Sequence, residues 1–310
     1  MRPETLPAPP KGRVLRRWRV YVRVGARPRF AVLQTRVRPR PLAAPASNRP
    51  FAVVTGASRG IGLELAKQFA AHGFDLLVAA DDRALAAAAT TLRGHGGGVD
   101  ALRVDLATHE GVDELYAGIV AAARPVDAIA INAGIGPGVA FGTGTGLHRE
   151  LKLIDRNVRS TVHLAKHVVR DMVARGQGRI LFAASTASTM PGSFQAVHDA
   201  SKSFVQSFAL ALGNEVRDTG VTVTSLMPGP TEAEFCERVD MLDTKVRDDV
   251  KDDPADVARE GFEALMAGRE RVASASRQTK LQGPPGRVRP DSAAAEVHGA
   301  MAEPGSAKDD

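Results

Sequence analysis

Between residues 51 and 274 the apolar positions of this chain fall into two alternating rhythms. Short, nearly continuous apolar runs at 51–55, 75–80, 100–104, 126–131, 179–184 and 221–226 read as strands, with a shorter one at 270–274. Between them, at 60–72, 83–93, 108–123, 148–175, 197–218 and 254–267, apolar residues recur every three or four positions, the period of a helix with one buried face. Strands that are apolar throughout are covered on both faces. The pattern therefore predicts an α/β fold, a doubly wound parallel sheet with helices on both faces and right-handed crossovers.

The junction between the first strand and the first helix carries Thr55-Gly56-Ala57-Ser58-Arg59-Gly60-Ile61-Gly62. Glycines there let backbone approach a phosphate closely, and the following helix start offers free N–H groups and the positive end of a dipole. The spacing G-x-x-x-G-x-G differs from G-x-G-x-x-G, but the physics is shared, so the reading is a Rossmann-type nucleotide site. In an open α/β sheet the ligand lies at the carboxyl ends of the strands. Besides the turn, that edge holds Asp81, Asp105 with Leu106, and Asn132-Ala133-Gly134, the last opening a glycine-rich loop over 132–146.

Composition and charge change this picture mainly at the ends. Of 310 residues, 44% are hydrophobic and 25% charged, which suits a globular protein with a sizeable core. The net charge of +6 is misleading. Residues 1–50 hold twelve arginines and one lysine against Glu4, a local +12, which leaves −6 for everything else. That removes support for nucleic-acid binding by the folded part. The proline-rich 1–50 reads as a disordered extension. Its arginines, with Trp18, Tyr21 and Phe30 among them, also suit a targeting peptide or a nucleic-acid or membrane-surface arm. Residues 275–310 read as a loose tail, which makes 51–274 the single domain. The lone Cys236 excludes an internal disulfide and points to a reducing, cytoplasmic setting. No apolar run reaches the ~18–20 residues of a membrane span.

Several strings together resemble the short-chain dehydrogenase/reductase family: TGASRGIG at 55–62, VDL at 104–106, NAG at 132–134, Asn157, Ser185, Lys202 and Pro228-Gly229. The resemblance covers about 51–270. It implies an oxidoreductase that moves a hydride between a nicotinamide dinucleotide, NAD or NADP, and a small alcohol or carbonyl substrate. It further implies that Gly56, Ser58, Arg59, Gly60, Ile61, Gly62, Asp105, Leu106, Asn132, Ala133, Gly134, Lys202, Pro228, Gly229 and Thr231 contact or shape the cofactor site. A homodimer or homotetramer is implied too, joined through the helices at 148–175 and 197–218. The usual charged positions at the end of the second strand are Ala79 and Ala80. Arg59 favours NADP, whereas Asp81 favours NAD if it swings toward the ribose.

Where the family runs its chemistry with Ser, Tyr and Lys supported by Asn, this chain departs. Lys202 and Ser185 stand at the family spacing and Asn157 is present, but the position four before Lys202 is His198. Neither tyrosine fills the gap, since Tyr21 lies in the arginine-rich tail and Tyr116 in the helix at 108–123. Imidazole titrates near neutral pH and is a common acid–base group. Three readings stay open: an oxidoreductase with His198 as a less efficient acid–base group, slow catalysis that continues without it, or a catalytically silent dinucleotide-binding protein. Met190, Phe194 and Phe235 are candidates for an apolar substrate pocket, and 232–253 reads as a lid. His163 and His167 stand at i, i+4, but no third metal ligand is evident and no metal is assigned.

Overall fold

The computed structural model describes residues 48–136, 140–189, 191–229, 231 and 252–274. The expectations for 1–47, Met190, 232–251 with Phe235 and Cys236, and 275–310 lie outside the described residues. The elements in order are β1 (Phe51–Thr55), α1 (Gly60–Ala71), β2 (Asp75–Ala80), α2 (Leu85–Arg93), β3 (Val99–Arg103), α3 (His109–Ala121), β4 (Ala128–Ile131), α4 (Leu147–Ile154), a π turn (Asp155–Arg159) and α5 (Ser160–Arg175). They continue with β5 (Gly178–Ala183), a 3₁₀ turn (Thr186–Thr189), α6 (Ala196–Val216), β6 (Val221–Pro228), α7 (Pro254–Met266) and β7 (Arg271–Ser274). No helix among the described residues is long and apolar enough to cross a membrane.

The strands form one parallel sheet in the order β3-β2-β1-β4-β5-β6-β7. Every residue of β1, β2 and β4 is buried, whereas β3, at an edge, alternates with exposed positions. This is the doubly wound sheet that the apolar runs predict, with the chain reversing its direction of growth between β1 and β4. Side chains alternate across the strands, so the sheet separates two cores. Val53, Ile129, Ile180 and Phe182 face α3, α5 and α6 through Leu115, Leu164, Met172 and Val205. Ala52, Val54, Ala130 and Leu181 face α1, α2 and α7 through Leu65, Phe69, Leu92 and Phe262. On that second face Phe69, Phe74 and Phe262 meet edge to face, with centroids 5.1 Å apart for Phe69–Phe74 and Phe69–Phe262.

Helix starts follow local chemistry. Thr108 caps α3 by accepting from Gly111 N at 3.0 Å, and Asp253 caps α7 by accepting from Ala255 N, with Pro254 in the first turn. The long helix expected over 148–175 is a helix interrupted by a π turn at Asp155–Arg159, which apolar periodicity cannot reveal. Two hydroxyls occupy carbonyls of the irregular turn: Ser160 donates to Arg156 O, and Thr161 donates to Asn157 O at 2.8 Å.

The aromatic cluster yields a stability prediction. Phe262→Ala should cost about 3–5 kcal/mol, because it removes a buried ring from between α1 and α7 and leaves a cavity. Urea denaturation should show a lower midpoint with an unchanged slope.

Candidate functional site

The carboxyl edge of the sheet brings the glycine turn, the ends of β2 and β3, the loop after β4 and the start of α6 to one side. Gly56 and Gly60 take φ of +69° and +55°, the left-handed region where a side chain is strained. Gly62 has an ordinary φ but no room: a Cβ there would run into the carbonyl of Gly56 and the amide of Asn132. Unlike α3 and α7, α1 starts without a side-chain cap and with no acid in its first turn. Its leading N–H groups and positive dipole end are left for an anion, which fits the pyrophosphate of a dinucleotide.

Thr55 ties that turn to the loop after β4. Its hydroxyl accepts from Asn132 N at 2.9 Å and Ala133 N at 3.0 Å, and its carbonyl accepts from Asn132 Nδ2 at 3.2 Å. Gly134 passes so close that a Cβ would press on Asn157 Oδ1 and Lys202 Nζ, at 3.3 and 3.5 Å. Pro228 ends β6 at the same edge, followed by Gly229, and Thr231 bridges to Asp252.

The acids beyond β2 and β3 are paired with arginines. Asp82 accepts from Ser58 Oγ at 2.8 Å and lies 3.3 Å from Arg59. Burial works to raise its pKa, but the Ser58 hydrogen bond and the Arg59 charge outweigh it and hold the carboxyl below its ordinary value. Arg156, buried in the π turn, bonds Asp81 at 2.6 Å and also Asp105. Asp105 accepts from Ala107 N as well, and Lys152 stands 3.7 Å away. Against its burial, these bonds and charges pull Asp105 below the ordinary carboxylate range. Asp81 is therefore engaged with an internal cation, a partner that no local spacing announces. The signal available in the sequence is only that Arg156 precedes Asn157.

Asn157 lies in the π turn and is buried. Its Oδ1 accepts from Ile135 N at 2.9 Å, and its Nδ2 donates to Ile135 O at 2.8 Å and Ser201 Oγ at 2.9 Å. Ser185 follows β5 directly, and its Oγ accepts from Ala187 N at 3.1 Å as the chain turns into the 3₁₀ segment. Lys202 donates to Ala183 O at 2.9 Å, which sets its ammonium two residues from Ser185. His198 and Lys202, at i and i+4 of α6, project from one face as the spacing requires. His198 is buried, and its Nδ1 meets Ile135 O at 3.2 Å. A carbonyl can only accept, so Nδ1 carries the hydrogen in this contact. Gly136 lies against the same ring, where a Cβ would overlap the imidazole.

One group absent from the sequence reading is Asp199. It is buried in the first turn of α6, and Gly192 lies so close that a Cβ there would overlap its carboxylate. Burial pushes its pKa from 3.8 up to about 7, partly offset by Lys202. Burial likewise lowers Lys202 from 10.5 to about 8, partly offset by Asp199. The clue in the sequence is an acid three residues before a lysine beside His198. Next to it Phe194, at φ +64°, is one of two non-glycine residues with positive φ among the described residues. Strain of that kind gathers at functional sites.

The model of the short-chain dehydrogenase family matches residues 50–241. The chain belongs to that family. Like its relatives, this short-chain dehydrogenase is an NAD(P)-dependent oxidoreductase by fold and motif. It is 36% identical over 196 residues, 62% of this chain and 71% of the relative, to a granaticin polyketide synthase protein of Streptomyces violaceoruber provisionally assigned as a ketoacyl reductase. It is 31% identical over 191 residues to the 3-oxoacyl-[acyl-carrier-protein] reductase FabG of Escherichia coli, covering 60% of this chain and 75% of that one. Among solved structures, a short-chain dehydrogenase from Sphingobium yanoikuyae in complex with NADPH superposes with a TM-score of 0.67 at 26% identity, over 76% of this chain and 92% of the other.

The buried acid gives this short-chain dehydrogenase a testable pH dependence. A carboxyl whose pKa is raised by folding weakens the fold as it ionises, so the loss develops as pH rises from about 4 to about 7. The melting temperature of Asp199→Asn minus that of the unaltered protein should increase by about 5–10 °C between those two pH values. A flat difference across that range would contradict the assignment.

Proposed function

We propose that this short-chain dehydrogenase transfers a hydride between NADP(H) and a small ketone or its alcohol, with His198 in the proton-transfer position. The observation that carries the reading is the placement of His198 on the face of α6 that holds Lys202, with its ring fixed through Nδ1 to Ile135 O. The glycines at 56, 60 and 62, the uncapped start of α1 and the Thr55–Asn132 bonds would hold the dinucleotide, with Lys202 and Pro228-Gly229 toward its nicotinamide end. When bound, that cofactor supplies or accepts the hydride.

The chain's own residues account for the proton. Ser185 Oγ donates to the substrate oxygen and orients the carbonyl. His198, protonated at Nε2, gives that proton to the oxygen as it gains charge on reduction. In the reverse direction neutral Nε2 takes the proton from the alcohol. Asn157 fixes Ile135, whose carbonyl in turn fixes the imidazole, and so acts on the chemistry as a positioning residue. The short, buried imidazole has little freedom to follow the substrate, and a misplacement of ~1 Å costs on the order of a hundredfold. Slow turnover is the expected result. For the substrate class, support comes from relatives whose names refer to ketoacyl and 3-oxoacyl groups.

For NADP over NAD, support comes from the acids and arginines at the ribose end. Asp81, the acid that would bond a 2′-hydroxyl, is held by Arg156, and Arg59 lies in the glycine turn. The relative from Sphingobium yanoikuyae is itself described with NADPH. The second reading, a silent dinucleotide-binding protein, is favoured by the same burial of His198 under Gly136.

Steady-state oxidation of NADPH with a 3-oxoacyl thioester and a panel of small ketones separates the two. Catalysis by His198 predicts slow turnover that falls about 10²–10⁴-fold in His198→Ala and rises in His198→Tyr, with NADPH affinity unchanged in both. An inert parent protein that binds NADPH, alongside an active His198→Tyr, would establish the silent reading. Arg156→Ala should shift the ratio of NADPH to NADH affinity toward NADH by about tenfold or more, measured by cofactor fluorescence, because it frees Asp81 and removes a cation.

A further inference from the structure

We propose that His109, Asp113 and His163 form a binding site for one divalent transition-metal ion, with Zn²⁺ the best match, that staples α3 to α5. Nothing in the proposed hydride transfer uses these residues.

The site arises where two helices pack side by side. On α3, residues 109, 113 and 116 share one face, at i, i+4 and i+7. On α5, residues 163, 167 and 171 do the same. The two stripes meet like a zip. At its lower end the Tyr116 ring stacks on His167 with centroids 4.3 Å apart, and its hydroxyl donates to Asp171 at 2.8 Å. At the upper end the rings of His109 and His163 stack with centroids 4.4 Å apart and planes within 17°.

Asp113 lies beside the stacked pair and turns one oxygen to each ring nitrogen. Oδ1 lies 3.1 Å from His163 Nε2, and Oδ2 lies 3.5 Å from His109 Nε2. The three donor atoms all fall within 4.8 Å of one another. Zn²⁺ sits about 2.0–2.2 Å from imidazole nitrogen and carboxylate oxygen, and a tetrahedral angle then separates two donors by about 3.3–3.4 Å. The two Asp113–histidine separations, one from each carboxylate oxygen, bracket that figure, and the remaining donor separations lie within 4.8 Å. Ligation requires the two stacked rings to rotate about their side-chain bonds until their Nε2 lone pairs, which lie in the ring planes, converge on one ion.

The donor chemistry selects the class of ion. Two imidazole nitrogens with one carboxylate oxygen suit Zn²⁺ and its transition-metal neighbours, whereas Mg²⁺ and Ca²⁺ prefer oxygen alone. His109 and Asp113 are open to solvent, so water can complete the fourth position, while His163 is largely buried and fixes the inner wall. The pair suggested by sequence spacing, His163 with His167, is not the ligand pair. His167 lies flat on Tyr116, and its ring is tilted 43° from that of His163. The other two ligands, His109 and Asp113, come from another helix, 54 and 50 residues earlier in the chain.

The full-length protein, purified without a histidine tag and stripped with a chelator, tests the site by calorimetric titration with ZnCl₂ against a competing chelator. One ion should bind and raise the melting temperature. His163→Ala and the double variant His109→Ala with Asp113→Asn should each weaken that ion about tenfold or more and abolish the rise, while His167→Ala leaves both intact. Co²⁺ should give visible ligand-field bands in the unaltered protein and His167→Ala, and none in His163→Ala. All four proteins should show the same circular dichroism without metal, since none of the altered groups belongs to either apolar core. Equal Zn²⁺ affinity in all four proteins would overturn the proposal. So would loss of the ion in His167→Ala, or absence of a stoichiometric ion in the unaltered protein.

Discussion

The amide of Asn157 is the contact on which the rest of this structure depends. One side chain satisfies both the N–H and the carbonyl of Ile135 and reaches Ser201 on α6. It thereby joins the crossover between β4 and β5, the loop after β4 and the helix that carries His198 and Lys202. A regular α-helix has no need of such a group in its interior. The π turn at Asp155–Arg159 accompanies it, and the hydroxyls of Ser160 and Thr161 occupy carbonyls of the irregular segment. The Ile135 carbonyl accepts from the amide and faces the His198 ring, so the same peptide that locks the loop also orients His198.

Around that contact the site is built by exclusion of side chains. Gly62 leaves space for the Gly56 carbonyl, Gly136 for the His198 ring and Gly192 for the Asp199 carboxylate. Each is a place where backbone must come within van der Waals distance of a polar group. The glycines at 56 and 60 serve the turn through their positive φ, whereas Gly62, Gly136 and Gly192 serve through absence of bulk. The burial that results has an electrostatic cost, carried by Asp199 and Lys202, whose pKa values are driven toward one another.

Much of this was legible in the sequence, and the reason is periodicity. Apolar runs at 51–55 and 75–80 coincide with β1 and β2 because parallel strands covered on both faces are nearly continuous in apolar residues, with Thr55 and Asp75 the polar residues at their ends. The i, i+4 relation of His198 and Lys202 survives into the fold because helical geometry is local. What could not be read is what depends on distance along the chain. Arg156 finds Asp81 and Asp105 across 75 and 51 residues. His163 finds Asp113 on another helix. The π turn was hidden because one inserted residue disturbs a hydrophobic period less than the noise within it. Asp199 was overlooked for a different reason: an acid in the first turn of a helix ordinarily reads as a dipole partner, not as a buried group.

The bridge made by Arg156 bears on the order in which the site comes into being. Asp81 and Asp105 end two neighbouring strands, β2 and β3, that lie early in the chain. Their shared counter-charge is delivered by the crossover after β4, and only once that segment has packed back against the sheet. Until residue 156 is in place, those two carboxylates lack this shared counter-charge. Neither end of the turn-bearing edge is local: one waits for Arg156, 75 residues beyond Asp81, and the glycine turn waits for Asn132, which Thr55 meets across 77 residues.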